Sequence, residues 1–203
     1  MSKKSDLKAI LNKFKKAAEL VNEEIKQVKK SNDYTDQGKE KRINELKYRL
    51  EDIASELRSE SISIMNYSIG EYKNAVNQRT ANRLKDSNYQ LGLANTLRVL
   101  ELGSDGMSEE DIQVMINSYS NDNIAISAIK GLLSKNEKLV NISYPVDKAE
   151  KNFKLQNQLK SNLDQYINAD NEYEGLTGTG MIMDSLLNTV DNMNEDLSFN
   201  VEG

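Results

Sequence analysis

The chain has 203 residues, 29% of them charged and 6% aromatic, with a net charge of -5, one proline and ten glycines. Cysteine, histidine and tryptophan are absent, which excludes disulfides, thiolate chemistry and the commonest general base and metal ligand. So little proline and glycine excludes a turn-rich β fold or a disordered linker, and a hydrophobic share of 37% suits narrow apolar stripes better than a thick core.

An enzyme written in this alphabet would rest on carboxylates, lysines or a carboxylate-bound Mg²⁺. No convergent carboxylate cluster is readable, so the chain is read as a non-enzyme without cofactor or metal. No apolar run approaches the roughly 20 residues of a membrane span. The start, Met1–Asp6, has charges with no apolar stretch behind them, so no secretory signal is expected.

Charge is unevenly spread. Residues 1–50 hold 14 Lys/Arg against 8 Asp/Glu, 51–100 hold 6 and 6, 101–150 hold 4 and 9, and 151–203 hold 3 and 9. A basic start and an acidic end favour head-to-tail or antiparallel self-association, or contact with an anionic partner; two solvated helix faces explain them equally well.

In chain order, Ser5 is the expected cap of a first helix over about residues 6–30, where Leu7, Phe14, Val21 and Val28 recur every seven residues. Ser31–Tyr34 is a turn, and Thr35 with Asp36 restarts the helix, so the two helices should form an antiparallel hairpin. In the second helix Ile43, Leu46, Leu50, Ile53 and Leu57 advance by 3, 4, 3 and 4, a coiled-coil seam. That seam needs a partner helix, from this chain or from another copy, and it is the candidate self-association site. Past Leu57 the serines 59, 61, 63 and 68 and Gly70 predict a bend or break within 59–70.

A weak zone at Lys85–Asn88 precedes an apolar helix with Leu91, Leu93, Ala94, Leu97, Val99, Leu100 and Leu102, ended by Gly103 and Gly106. Ser108 with Glu109, Glu110 and Asp111 starts another helix carrying Ile112, Met115, Ile116 and Tyr119. After the turn Asn121–Asn123, a third presents Ala125, Ala128, Ile129, Leu132 and Leu133. Val140, Ile142 and Tyr144 mark an extended connector closed by Pro145, and Val146, Ala149, Phe153, Leu159, Leu163, Tyr166 and Ile167 stripe a helix over about 146–168. The expected organisation is a hairpin over 1–87, a three-helix unit over 88–137, and over 138–203 a connector, a helix, a glycine-bearing loop and a short helix with a loose acidic tail.

Asp170, Glu172 and Glu174 with Gly175 imitate the first half of a calcium loop, but position twelve, where a bidentate glutamate belongs, is Met181, so a mobile acidic linker is expected. Gly175, Gly178 and Gly180 lack the Gly-Lys-Ser/Thr ending of a phosphate loop and read as a hinge. Glu19, Glu23 and Glu24 interrupt the lysines of the first helix, so no nucleic-acid partner is expected. Met181, Ile182, Leu186, Leu187, Val190 and Met193 form a short methionine-rich face, either docking a partner or folding back on the chain.

Asn32–Leu46, a turn leading into a long charged helix, resembles proteins encoded among the head genes of tailed phages of low-GC Gram-positive bacteria, in which a helical hairpin precedes a small helical unit. The resemblance covers roughly residues 1–135. It implies an all-α, elongated, scaffolding-like structural protein that oligomerises and contacts capsid or other virion proteins, in the host cytoplasm during assembly or within the virion. Scaffolds of that kind end in a basic capsid-binding helix, whereas this chain ends acidic. The alternative expectation is a small acidic adaptor or inhibitor of a basic protein.

Overall fold

The computed structural model describes residues 2–134, 141–169 and 177–199. The fold is all-α: α1 (Lys3–Lys30), α2 (Asp36–Lys85), α3 (Ser87–Gly103), α4 (Glu109–Asn117), α5 (Asn123–Leu133), α6 (Lys148–Tyr166) and α7 (Thr177–Asp191), with no strand among the described residues. The expected boundary at 137/138, the calcium-like acids Asp170, Glu172 and Glu174, Gly175, and Val140 lie outside the described residues.

Local chemistry explains most helix starts. Ser2, rather than Ser5, caps α1 by accepting the Ser5 N–H, and Lys29 and Lys30 sit in the last turn where the helix dipole favours cations. Thr35 Oγ1 accepts the Gly38 N–H at 3.2 Å and opens α2. Asp86, accepting the Asn88 and Tyr89 N–H groups, separates α2 from α3. Ser108 and Asp122 cap α4 and α5 in the same way. The helix after Pro145 starts two residues later than expected, because Asp147 Oδ1 takes the Glu150 N–H and so sets the start of α6 at Lys148.

The chain forms two compact units, one made of Met1–Glu71 and Phe153–Asn200, the other centred on Tyr72–Asn152. This differs from the three-part division expected from sequence, because the segment after residue 152 packs with the hairpin instead of standing apart.

In the first unit α1 and α2 run antiparallel: Lys3 pairs with Glu71, Arg49 with Glu24 at 2.7 Å, and Lys39 Nζ reaches the Lys29 carbonyl at 3.2 Å. α7 runs antiparallel to α1, with Lys8 against Asp191 and Lys15 against Asp184. α6 runs antiparallel to α2. Gln156 donates to the Leu197 carbonyl, beside the Asp196 carbonyl that accepts from Ser68. At its other end Arg58 donates to the Ile167 carbonyl, and Glu51 accepts the Ala169 N–H. Phe14 of α1, Leu50 of α2, Leu163 of α6 and Val190 of α7 belong to one core. Burying each such side chain contributes on the order of 1.5–3 kcal/mol.

The expected bend in 59–70 does not occur; α2 continues through it. Its buried stripe is Leu46, Leu50, Ala54, Leu57, Ser61, Met65 and Ser68, advancing by 4, 4, 3, 4, 4 and 3. That is an 11-residue repeat of 3.67 per turn, close to a straight α-helix, and not the heptad on which a left-handed supercoil depends. Of the four serines that suggested a break, Ser59 and Ser63 face solvent, while Ser61 and Ser68 are buried. Ser61 Oγ donates to the Arg58 carbonyl at 2.9 Å and Ser68 to the Asp196 carbonyl, so both hydroxyls are satisfied inside the core.

Residues 194–199, expected to be loose, fold back as a hook. Leu197 is fully buried in the left-handed region (φ 63°), the Asn194 N–H meets the Ser198 carbonyl at 2.8 Å, and Met193 bridges to Phe199. Two apolar residues in the acidic tail, Leu197 and Phe199, close this end of the core.

The second unit has a smaller core: Leu100 of α3, Ile112 and Ile116 of α4, and Ile129 and Leu133 of α5, with Ile142 and Tyr144 of the connector packed on it. The connector lies along α4 because Gln113 forms two bonds with the Ser143 backbone, at 2.8 and 2.9 Å, and Glu109 holds the Asn141 side chain at 3.1 Å.

Candidate interaction surfaces

The seam read from sequence is filled from within the chain. Leu46, Leu50 and Leu57 are buried, Ile43 and Ile53 are partly buried, and all five pack into the core that α1 shares. Ala54, not Ile53, takes the central buried position. A helix of the same chain therefore occupies the face on which a second copy was considered.

The methionine-rich face of α7 is filled in the same way. Met183, Leu186, Val190 and Met193 are buried, Ile182 and Leu187 pack at the margin, and Met181 alone of the six expected docking residues is widely exposed. The partner is chiefly α1, and the contact is electrostatic as well as apolar. Lys4 donates to the carbonyls of Asp191 at 2.9 Å and Met193 at 2.7 Å, placing a cation at the C-terminal end of α7. Lys15 contacts Asp184 at 2.6 Å, and that hydrogen bond raises the lysine pKa above its ordinary value. Much of the opposition between a basic start and an acidic end is thus used inside one chain. Gly178 and Gly180, read as hinge residues, lie within the first turns of α7.

What remains open lies in the second unit. From Lys73 to Val99, through the last turns of α2 and most of α3, not one residue is buried. α3 is apolar in sequence, yet only Leu100 is buried. Leu91 and Leu102, eleven residues or about three turns apart, share the face opposite Leu100 and are 62% and 75% exposed, with Val99 exposed on its flank. Sequence periodicity located these apolar residues but could not say which of two apolar faces would find the core.

One polar cluster here was not anticipated. Asp122 is almost buried, yet its carboxylate is fully engaged: Oδ1 accepts the Ala125 N–H at 3.1 Å, while Oδ2 accepts the Tyr89 hydroxyl and lies 3.5 Å from the Arg83 guanidinium. Arg83 also donates to the Asn121 carbonyl at 2.8 Å, and Tyr119 shares a 3.0 Å hydrogen bond with Thr96. Desolvation of the half-buried side chain first, then the hydrogen bond to Asp122 and its charge, push the Tyr89 hydroxyl up to about 12. With its groups satisfied by one another, the cluster acts as a clasp holding α2, α3 and α5 together. An aspartate before an apolar helical run was the available signal for it.

Among the described residues no group of three or more carboxylates is placed to hold a metal ion, and no helix is long and apolar enough to cross a membrane. No family model, no curated protein and no solved structure matches this chain.

Proposed function

We propose that this chain is a non-enzymatic structural or assembly protein of a tailed phage, acting in head or virion morphogenesis through helix-mediated self-association and contacts with capsid or other virion proteins. The phage setting rests on the resemblance of Asn32–Leu46 described above. The contact-making role is supported by one observation, the helical stretch Lys73–Val99 in which nothing is buried. Helices owe most of their stability in water to tertiary packing of one face. A stretch this long that leaves Leu84, Leu91 and Val99 exposed is suited to association.

Neither surface first considered is available for that role. Leu50→Asp with Leu57→Asp places two carboxylates in the core of the first unit, and the expected outcome is unfolding rather than separation of two chains. The test is molar mass by light scattering on a size-exclusion column at low ionic strength. A species of two or more 23.0 kDa chains is expected. A monomer at every concentration would overturn the assembly reading and favour the acidic adaptor, for which a basic protein would be the partner to seek.

A further inference from the structure

In the second unit, charges of opposite sign are segregated along the chain, and beyond the Arg83–Asp122 pair several of them are exposed. Lys73–Val99 holds Lys73, Arg79, Arg83, Lys85 and Arg98 against the single acid Asp86. The following segment, Glu101–Asp122, holds Glu101, Asp105, Glu109, Glu110, Asp111 and Asp122 and no Lys or Arg. Helical spacing places Lys73 and Leu84, eleven residues apart, on one face of α2 and Arg79 toward its flank, while Val76 is half-buried and Arg83 is held by Asn121 and Asp122. Lys73 and Arg79 are exposed and, among the described residues, have no ion-pair partner. The same holds for Glu101 and Glu110. The segment bearing those acids also exposes Leu102 and Val114.

We infer that the exposed cations Lys73 and Arg79 of α2, with Leu84, dock the acidic and apolar α3–α4 segment, Glu101, Leu102, Glu110 and Val114, of a second copy of this chain. The inference rests on the self-association proposed above and names its surface. Each side supplies what the other lacks: cations with an aliphatic side chain on one, carboxylates beside aliphatic side chains on the other. A nucleic acid would answer only the cations. It offers no aliphatic counterpart for Leu84, and it would be repelled by the carboxylates that begin at Glu101. Because the two patches differ, the contact either repeats head-to-tail, giving a ring or an open filament, or is made twice about a two-fold axis in a closed dimer.

The experiment compares the full chain with K73E/R79E and with E101K/E110K, at low and high salt, by light scattering and sedimentation. All four side chains are unpaired, so both variants should keep the helical content and melting temperature of the original. Each variant is expected to weaken association by at least about tenfold at low salt, and salt should weaken the original chain in the same direction. Mixing the two variants should restore higher mass, since each presents the surface the other has lost. An original chain that assembles equally well with either pair reversed would overturn this surface while leaving self-association standing. A chain that is monomeric in all conditions would remove both. A monomer that binds a short DNA duplex would overturn the choice of a second copy.

Discussion

The two units handle the same ingredients differently. In the first, lysines of α1 meet carboxylates of α2 and α7, as in Lys3–Glu71, Lys8–Asp191 and Lys15–Asp184, and the apolar stripes of four helices close on one core. In the second, five residues, Leu100, Ile112, Ile116, Ile129 and Leu133, make up the buried cluster, and the cations of Lys73–Val99 mostly face solvent. A basic and an acidic segment that pair in one chain need no second copy. In the second unit the two kinds of segment meet at Arg83–Asp122, while Lys73, Arg79, Glu101 and Glu110 stay exposed, and such exposed charges are what association can use. The difference teaches that charge asymmetry along a sequence marks a potential contact without saying whether one chain or two will make it.

The largest effect should come from the first unit's core. Phe14→Ala is expected to cost about 3–5 kcal/mol, because the ring is fully buried and its neighbours on α2, α6 and α7 cannot all close the cavity. Leu91→Ala, an equally drastic truncation on α3, should change the stability of the single chain by less than about 0.5 kcal/mol. Urea titration followed by circular dichroism measures both. Equal losses at the two positions would break the contrast between a closed unit and an open one.

The clasp of the second unit should give an intermediate effect. Asp122→Ala removes the cap of α5 and strands the Tyr89 hydroxyl, for an expected loss of about 2–3 kcal/mol. Its pH signature has a definite sign. The folded state holds the Tyr89 pKa at about 12, above its ordinary value near 10. The neutral tyrosine is thus the form that the fold favours. That stabilisation is complete below pH 10 and declines as pH rises through 12. Tyr89→Phe should abolish this alkaline loss; an unchanged profile between pH 10 and 12 would mean that the Tyr89–Asp122 bond does not hold the unit together.

The smallest effect expected has the opposite sign. Gly70 lies inside α2, and a β-carbon there would meet no atom within 4 Å. Gly70→Ala should stabilise the chain by about 0.5–1 kcal/mol, by restricting the unfolded backbone and favouring the helix. A destabilised variant would restore the bend that the sequence suggested and the structure lacks.

The sequence by itself determined that the protein is helical, and where several of its helices begin. These are local matters: Thr35, Ser108 and Asp122 offer a side-chain oxygen to the free N–H groups of the turn that follows, and sparse glycine and proline leave the helices between them intact. The seven-residue recurrence of Leu7, Phe14, Val21 and Val28 likewise marked the buried face of α1. Only the tertiary structure decided what each face meets. Ile43–Leu57 reads the same whether its partner is α1 or another chain, and the face Met181–Met193 the same whether it docks outward or against α1. Apolar burial is non-directional and does not record which surface supplies it. Ser61 and Ser68 show the converse: helix propensity alone argues for a break, yet both are buried, Ser61 bonded to the Arg58 carbonyl of its own helix and Ser68 to the Asp196 carbonyl of the hook. The exposed side of α3 was hidden for the same reason: with apolar residues all round a helix, periodicity finds no face to prefer, and contact with Ile112, Ile116 and Ile129 alone selects Leu100.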